Sequence, residues 1–538
     1  MDKINELPLE ILEHIFHYLP FKTWKICWSV CSLWYRILRG THFQRIYCLS
    51  MNRTFEPQLS ELEKRIFPSF RNIALVQWVH RDDDDDDDYE ERRLEPVEKD
   101  EVTSLKYLFE PTPEKNISEL LFSLELDFES LELCSSFGSG RDIIGNRLRE
   151  IKNLRELILN MYVSHNQTSD QELWLIEHDR IETLKIDLTV TKINIDANLP
   201  NLRTLALLTD CYWAFHIIEK HCTQLESLEV QFHSPETMNN MLSLKFSAMT
   251  NLQAHLYRDK FVQENYKQTQ NGYMHNKKEE MFIKNMPKLK TLYVESNLLL
   301  YRIAEPLSRF AHQLEELTLE CQQIEFLQLK AIESMPNLKV LNLLYCRIAS
   351  TRILPTVTMP LLEKLTLINN ESHVIFDNGL CNLKSLKVTF WTRSSHKALH
   401  KICKKLFNLQ KLELLVYSKL ANTAFRELHN LTKLTTFRIG KCELKAIHWS
   451  HCSALPNLRR IVLTDCRLEL SALLNAPLAT IFPGLREFYF KSCAIGYSKK
   501  SNIAVSFNSD DEARQYCLQQ LRAILPDCGI SLHDSLFG

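Results

Sequence analysis

Apolar residues recur along the chain in one short pattern: two leucine-type positions three residues apart, then a third two residues later. Its clearest copy runs from Leu338 to Leu343 as Leu-Lys-Val-Leu-Asn-Leu. Nearly identical copies begin at Leu202 and Leu458. The alternation of apolar and polar residues predicts a short strand with one buried face. We therefore expect most of the chain to consist of repeated strand units.

The other copies are less regular but recur every 21 to 37 residues. They begin at Leu154, Ile181, Leu225, Leu289, Leu314, Leu362, Leu383, Leu409, Leu434 and Leu485, with a degenerate copy at Leu252. Three residues after the last apolar position stands a cysteine or asparagine in several copies, such as Cys346 or Asn297. The pattern resembles the leucine-rich repeat. The resemblance implies an α/β fold, a curved solenoid or horseshoe of about fifteen repeats with a parallel inner sheet.

Length and composition agree with this interpretation. A chain of 538 residues is too long for one compact core, but a solenoid repeat packs only on its neighbours. The 16 cysteines fall on repeat positions and in apolar stretches, so we interpret them as buried thiols in a reducing compartment, the cytoplasm or the nucleus. The sequence has neither an apolar run of membrane-spanning length nor a signal peptide's apolar stretch at its start.

The first 40 residues follow a different pattern. Residues 7–20 place apolar side chains on one helical face, and two further apolar stretches follow at residues 24–31 and 33–38. The order L-P-x-E-I-L-x-x-I-F-x-Y-L-P followed by V-C-x-x-W resembles the F-box, a three-helix domain. Trp24 and Ser29 depart from it, since the family usually has leucine there. The alternative interpretation is a simple cap for the solenoid.

The F-box resemblance implies docking on a Skp-type adaptor, which links the protein to a cullin. It assigns adaptor binding to Leu7, Pro8, Ile11, Leu12, Ile15, Phe16, Leu19, Trp24, Val30 and Trp34. We expect part of this apolar set to form the domain's own core and part to contact the adaptor.

The predicted domains are an F-box at residues 1–45, a linker or first-repeat cap at 46–69 and the solenoid at 70–538. Within the solenoid we expect a disordered acidic insertion at 82–101, a polar loop at 263–280 and a C-terminal cap at 509–538. The segment starting at Phe70 fits the first strand. Residues 117–122 and 128–133 both fit the strand pattern but begin too close together, so one of them is not a repeat.

The sequence offers little for catalysis or for metal binding. It contains no phosphate-binding glycine loop and no nucleophile motif. The best metal candidate, His448 with His451 and Cys452, has no second pair of ligands at zinc-site spacing. A nucleophilic pair of His221 and Cys222 is disfavoured relative to buried repeat residues. We expect a non-enzymatic protein with no cofactor and no metal.

The polar positions of the repeated strands should line the concave face. From Leu362 onwards basic residues predominate there, and we predict that Lys364, Lys387, Lys411, Arg438 and Arg460 bind an acidic or phosphorylated segment of a protein substrate. Thr366, Ser385 and Thr436 could add neutral donors. Glu413 stands among the cations and could neutralise Lys411 or Arg438. The alternative is an ordinary solvated sheet face.

An F-box followed by leucine-rich repeats resembles the substrate receptors of Skp–cullin–F-box ubiquitin ligases. The resemblance implies that the F-box holds the adaptor and the repeats hold a protein substrate for ubiquitination. The expected partners are proteins, with neither nucleic acid nor membrane among them. Two alternatives stay open: a scaffold that uses the adaptor without a cullin, and a receptor for a small polyanion held by the basic residues.

Overall fold

The chain forms two compact units, Met1–Met249 (unit 1) and Thr250–Gly538 (unit 2). The computed structural model describes residues 12, 48–49, 72–76, 129–136, 148–162, 172–188, 193–209, 213–232, 240–256, 277–295, 297–320, 323–324, 331–332, 335–348, 359–368, 380–390, 395–417, 420–450, 452–469, 473–496, 510–533 and 536–537. The predicted acidic insertion at 82–101 lies outside them.

Each main strand arises from the second half of the apolar pattern. In the strand Val340–Leu344, Leu341 and Leu343 are fully buried while the alternating side chains are partly exposed. Leu341 is aligned with Leu317 of the preceding repeat and Leu365 of the following one. Leucines at equivalent positions are therefore in register, and each buried leucine contributes on the order of 1.5–3 kcal/mol.

Unit 1 contains a parallel main sheet and a small second sheet. Its described strands are β1 Cys48–Leu49, β2 Asn72–Val76, β3 Ser130–Ser136, β4 Glu156–Tyr162, β5 Glu172–Glu177, β6 Thr183–Leu188, β7 Ile193–Asn198, β8 Thr204–Thr209 and β9 Ser227–Phe232. The main sheet pairs β1, β2, β3, β4, β6, β8 and β9 in that order. β5 pairs with β7, and helix α1 (Trp213–His221) connects β8 to β9.

Unit 2 continues the same strand pattern. Its described strands are β10 Asn251–Leu256, β11 Thr291–Glu295, β12 Glu316–Glu320, β13 Gln323–Ile324, β14 Val340–Leu344, β15 Arg347–Ile348, β16 Lys364–Ile368, β17 Ser385–Phe390, β18 Lys411–Val416, β19 Thr436–Gly440, β20 Glu443–Leu444, β21 Arg460–Thr464, β22 Arg467–Glu469, β23 Glu487–Lys491, β24 Ala494–Gly496, β25 Gly529–His533 and β26 Leu536–Phe537. Eleven of these form the parallel main sheet, in the order β10, β11, β12, β14, β16, β17, β18, β19, β21, β23 and β25.

In unit 2, helices and very short strands connect one strand of the main sheet to the next. The described helices are α2 Lys277–Lys284, α3 Asn297–Phe310, α4 Ser395–Lys405, α5 Ala446–Ser450, α6 Leu478–Ile481 and α7 Asp510–Ile524. β13 pairs with β15, and β20, β22, β24 and β26 form a second parallel sheet. The predicted α/β solenoid of leucine-rich repeats is confirmed.

The cysteines of the repeat follow a left-handed turn at the end of the strand. Tyr345, Lys441, Asp465 and Ser492 have φ values between 50° and 63°, and each precedes a repeat cysteine. The thiol of Cys466 donates to the carbonyl of Ile439 at 3.5 Å, and that of Cys346 donates to Leu319 at 3.4 Å. A small polarisable side chain can therefore meet the backbone where the chain leaves the strand.

An asparagine ladder joins successive repeats at the start of the strands. Asn457, immediately before the first leucine of its repeat, donates from Nδ2 to the carbonyl of Thr432 at 2.8 Å. Equivalent bonds link Asn201 to Asp179, Asn337 to His312, Asn382 to Pro360 and Asn408 to Cys381. In each case the acceptor lies two residues before the first apolar position of the preceding repeat, so the bond fixes one repeat on the next.

The register corrects the prediction for the degenerate copy. Leu252 is aligned with Leu292, the second apolar position of its repeat, so the pattern begins at Met249 and not at Leu252. Met249, Leu252 and Ala254 are all buried. A methionine and an alanine fill positions that are leucines elsewhere, which is why the leucine pattern located this repeat three residues too late.

The register also settles the crowded region before residue 133. β2 pairs directly with β3, with Ile73 opposite Leu131. Residues 128–133 therefore contain the repeat, and residues 117–122 lie outside the described residues. The strand at 72–76 is not the first of the sheet, because β1 precedes it.

Two predicted features of unit 2 meet different outcomes. The last four residues of the polar loop predicted at 263–280 begin helix α2, and the rest of that loop is not among the described residues. At the C-terminus, the predicted cap at 509–538 contains helix α7 and strand β25, which pairs with β23.

Candidate protein-binding face

The adaptor-binding set falls almost entirely outside the described residues. Leu12 is the one member that the structure describes, and its side chain is 1% exposed, so it belongs to a hydrophobic interior. The other nine lie outside: Leu7, Pro8, Ile11, Ile15, Phe16, Leu19, Trp24, Val30 and Trp34.

The main sheet of unit 2 presents the polar strand positions on one face, which we call the open face. Strand pairing aligns these positions in rows that cross the strands. The first row contains Glu316, Val340, Lys364, Ser385, Lys411, Thr436, Arg460 and Glu487. The second row contains Thr318, Asn342, Thr366, Lys387, Glu413, Arg438, Val462 and Tyr489.

The five predicted substrate-binding cations all lie on the open face, but in two rows. Lys364, Lys411 and Arg460 belong to the first row, on alternate strands. Lys387 and Arg438 belong to the second row, on either side of Glu413. Neighbouring strands are about 4.8 Å apart, so cations two strands apart in one row are separated by about 10 Å at the backbone.

Glu413 pairs with both cations of the second row. Its Oε1 lies 2.8 Å from Lys387 Nζ and 3.9 Å from Arg438 Nε. The Glu413 side chain is nearly buried between them, and Arg438 Nε also donates to Thr464 Oγ1 at 3.3 Å. The carboxylate that the sequence placed near Lys411 or Arg438 therefore neutralises Lys387 and Arg438, and these two cations are already held in position.

Arg460 is also held by neighbours. Its Nε lies 3.1 Å from Glu487 Oε2, and its guanidinium carbon stands 4.7 Å from the centre of the Tyr489 ring. The ring face attracts the cation, and the carboxylate occupies one edge of the guanidinium. The remaining edge is what a partner could contact.

Lys364 and Lys411 differ from the other three cations. Both side chains are exposed, and neither forms an ion pair with any described residue. Ser385 lies between them in the first row, aligned with both. Two lysines and a hydroxyl thus converge on about 10 Å of the open face, the part best suited to an anion.

The opposite end of the open face is acidic, a feature that was not predicted from the sequence. Glu295 on β11 and Glu316 and Glu320 on β12 lie on it, and the described strands β10 to β14 place no lysine or arginine there. His255 Nδ1 lies 2.9 Å from Glu295 Oε2, and Tyr293 OH donates to Glu320 Oε2 at 2.9 Å. An alignment of the repeats by their leucines would have shown, from the sequence alone, that these glutamates occupy open-face positions.

Several charges of the repeats belong to a separate edge ladder and not to the open face. In consecutive repeats, the residue immediately before the main strand is charged. These residues are Lys290, Glu315, Lys339, Glu363 and Lys384. Lys339 Nζ lies 2.7 Å from Glu315, and Lys384 Nζ lies 2.7 Å from Glu363. The Lys339 hydrogen bond lowers the pKa of Glu315 and raises that of Lys339. Alternating charges therefore pair with one another along this edge.

Buried thiols in unit 2 are chemically quiet. Burial raises the pKa of Cys403, Cys452 and Cys517 to about 12. The hydrogen bond between the Cys466 thiol and the Cys442 sulfur, 3.9 Å apart, raises the pKa of Cys466 to about 12. A protonated thiol is a poor nucleophile and a poor metal ligand. Among the described cysteines Cys381 is exposed, which departs from the predicted burial.

His221 and His448, which the sequence singled out, form hydrogen bonds with the backbone. His221 Nε2 lies 3.1 Å from the carbonyl of Ala197, and burial lowers its pKa. Burial also raises the pKa of Cys222, so this pair lacks an activated thiolate. His448 is buried, and its Nδ1 accepts a hydrogen bond from Lys445 N. Within the described part of the chain, no three metal-binding side chains are grouped to hold an ion.

Two surface cavities lie away from the open face. One of about 410 Å³ is lined by Lys397, Lys401, Arg426 and neighbouring residues of α4 and of the turn after β18. The other, in unit 1, measures about 450 Å³ and has a mixed charged lining that includes Arg149, Lys152 and Asp179. Both are open to solvent, so neither is an enclosed ligand site.

Comparison with known proteins identifies one domain. Residues 4–49 match the family model F-box-like. Comparison with curated proteins gave no match. The chain thus has an F-box-like domain at its N-terminus, followed by leucine-rich repeats. In the described residues, no helix has the length and apolar character that crossing a membrane would require.

Solved structures similar to the chain include an internalin from Listeria monocytogenes, at 15% identity and a TM-score of 0.34 over 62% of this chain and 80% of that one. The mouse RP105/MD-1 complex gives 16% identity and a TM-score of 0.38 over 78% and 77%. A leucine-rich-repeat protein of Leptospira interrogans gives 15% identity and a TM-score of 0.30 over 90% and 100%.

Proposed function

With an F-box-like domain preceding leucine-rich repeats as the premise, we propose that this protein is the substrate receptor of a Skp–cullin–F-box ubiquitin ligase. The F-box docks on the Skp-type adaptor and through it on the cullin. The repeats bind a protein substrate. The observation that carries the proposal is the match at residues 4–49 immediately before the repeat array.

The division of labour follows from the two kinds of surface. F-box and leucine-rich-repeat domains are binding domains, and the buried thiols of unit 2 are held in the unreactive protonated form. The receptor therefore contributes proximity and makes or breaks no bond itself. Tethering a substrate near the ubiquitin-transferring subunit raises the effective concentration of its lysines.

The open face of unit 2 is the proposed substrate surface. Lys364 and Lys411 are exposed, and Lys387, Arg438 and Arg460 surround them in fixed positions. Five cations face a single central carboxylate, Glu413, so the strip from β16 to β21 attracts an acidic or phosphorylated segment. The leucine-lined face on the other side of the sheet is packed and unavailable.

Affinity purification of the full-length protein tests the assignment. We expect the adaptor and a cullin to co-purify with the wild type and to be lost together when Leu7 and Pro8 are both replaced by alanine. Truncating large apolar interface residues removes on the order of 1.5–3 kcal/mol each. A matched control, Leu361→Ala, changes an exposed leucine of the repeats and should leave adaptor binding intact.

The result separates the alternatives. Recovery of the adaptor without a cullin would contradict the ligase and identify a scaffold. Undiminished adaptor recovery by the Leu7→Ala, Pro8→Ala variant would contradict the F-box docking mode. Phosphorus that stays with the purified protein through a high-salt wash would point to the small-polyanion receptor.

A further inference from the structure

The open face of unit 2 is bipolar, and the two ends lie on one rigid sheet. Strands β11 and β12 contribute Glu295, Glu316 and Glu320. Strands β16 to β21 contribute five cations against one carboxylate. Between them, β14 is uncharged on this face, with Val340, Asn342 and Leu344.

This layout is complementary to a segment with separated charges. Lys364 and Lys411 flank Ser385 and have no ion-pair partner among the described residues, so a phosphate dianion placed over Ser385 would meet two ammonium groups and a hydroxyl. Lysines without an ion-pair partner are available to bind a phosphate, which offers three acceptor oxygens. A carboxylate could occupy the same place with half the charge.

Glu316 fixes where the opposite charge must stand. It belongs to the same row as Ser385 and lies three strands away, with Val340 next to it in that row. Three strand spacings amount to about 14 Å, and an extended peptide advances about 3.3 Å per residue. About four residues therefore span the distance from Ser385 to Glu316.

We propose that the substrate segment is an extended peptide in which a phosphoserine or phosphothreonine stands about four residues from an arginine or lysine. The peptide crosses the strands along the first row. Its phosphate contacts Lys364 and Lys411, its middle lies over the uncharged surface of β14, and its cation contacts Glu316. This assignment rests on the proposed role of the repeats as the substrate-binding part.

The acidic end makes the recognition selective. A polyanion such as nucleic acid would be attracted by the basic strip but repelled at β11 and β12, where three carboxylates meet it. Juxtaposed like charges lower affinity for wrong partners, which is a common source of specificity. The structure thus favours a dipolar peptide over a uniformly anionic ligand.

The test uses the full-length protein in complex with its adaptor and a peptide library. Each peptide carries a central phosphoserine flanked by five degenerate positions on either side, and bound peptides are sequenced. We expect arginine or lysine to be enriched three to five residues from the phosphoserine on one side, and a matched serine library to be retained about tenfold less, the factor that 1.4 kcal/mol represents.

Charge-reversal variants assign each end. In Glu316→Lys, the enrichment of basic residues should disappear or change to acidic residues, while the preference for phosphoserine remains. In Lys411→Glu, the preference for phosphoserine should fall about tenfold. Glu316→Gln provides a milder variant if the reversal disturbs folding. The matched controls Glu443→Lys and Lys445→Glu change charges on and beside β20, away from the open face, and should select as the wild type does.

Several outcomes would overturn the inference. They are equal retention of the phosphoserine and serine libraries, a wild-type selection without basic residues at this distance, and a selection that Glu316→Lys leaves unchanged. Adaptor and cullin recovery measured on the same preparations keeps the two proposals apart. A flat library selection by a complex that retains both would overturn the dipolar peptide alone, while loss of the cullin from the wild type would overturn the ligase role.

Discussion

In unit 1, the chain passes from β4 to β6 through β5, a strand of six residues that pairs with β7. In unit 2, the described segments between main strands contain helices such as α3, with 14 residues, or strands of only two or three residues such as β13 and β22. The main strands within each unit nevertheless have the same spacing of leucines. The apolar pattern specifies the strand, and other residues specify the return.

The reason lies in what each part must bury. Leu184 in unit 1 and Leu341 in unit 2 are both fully buried and are aligned with leucines of their neighbours. The returning segment only has to cover one side of these leucines, which an amphipathic helix and an alternating strand can both do. Trp174 and Ile176 of β5 in unit 1 are buried, and so are Leu399 and Ile402 of α4 in unit 2.

The largest expected effect tests the part that the units share. Leu184→Ala and Leu341→Ala should each lower the free energy of unfolding by about 2–5 kcal/mol, because each leaves a cavity among packed leucines. Denaturant unfolding followed by hydrogen exchange in each unit would measure both. Val462→Ala, on the open face, serves as the control and should cost about 1 kcal/mol or less. A small loss of unfolding free energy in one unit alone would show that the two units do not have the same kind of leucine core.

The second prediction concerns the buried thiols of unit 2. Burial raises the pKa of Cys517 to about 12, so its thiol stays protonated in the folded state well above its ordinary pKa of about 8.5. The contribution of the protonated Cys517 thiol to stability is complete below about pH 8.5 and is lost as the pH rises towards 12. The stability of the wild type relative to Cys517→Ala should therefore fall by about 1.4 kcal/mol per pH unit above about pH 9.

Denaturation midpoints between pH 8 and 11 would measure this difference. Cys381→Ala is the matched control, because it removes an exposed thiol instead of a buried one. Parallel slopes for the wild type and Cys517→Ala would contradict the burial of this thiol.

How much the sequence could predict depends on whether a feature is local. The strands and leucine positions were predictable because burial demands apolar residues at fixed spacing. The pairing of Lys387 with Glu413 was not, since the two are 26 residues apart and meet only in one strand register. A shift of one residue would move either side chain to the other face. The Met249 repeat was misplaced for a related reason, because methionine and alanine do not stand out as leucine does.

The third prediction concerns the asparagine ladder, which both units contain. Asn201→Ala in unit 1 and Asn457→Ala in unit 2 should each cost about 0.5–1.5 kcal/mol, since each removes one hydrogen bond between repeats. Chemical denaturation of the two variants would compare the units directly. Asn457→Asp sharpens the test, because a carboxylate cannot donate to the carbonyl of Thr432. This variant should lose at least as much unfolding free energy as Asn457→Ala. An effect confined to one unit would show that the ladder is not a shared device.

The smallest expected effect concerns the left-handed turns, which within the described residues occur in unit 2. Ser492 has φ 52° and an exposed side chain, and it directs Cys493 towards the carbonyl of Leu463. A left-handed residue other than glycine costs about 1–2 kcal/mol, and glycine avoids this cost but loses about 0.5–1 kcal/mol through its freedom in the unfolded chain. Ser492→Gly should therefore stabilise unit 2 by about 0.5 kcal/mol. Ser453, exposed and without positive φ, is the matched control, and Ser453→Gly should destabilise by a similar amount. Equal losses from both substitutions would mean that the turn before Cys493 carries no backbone strain.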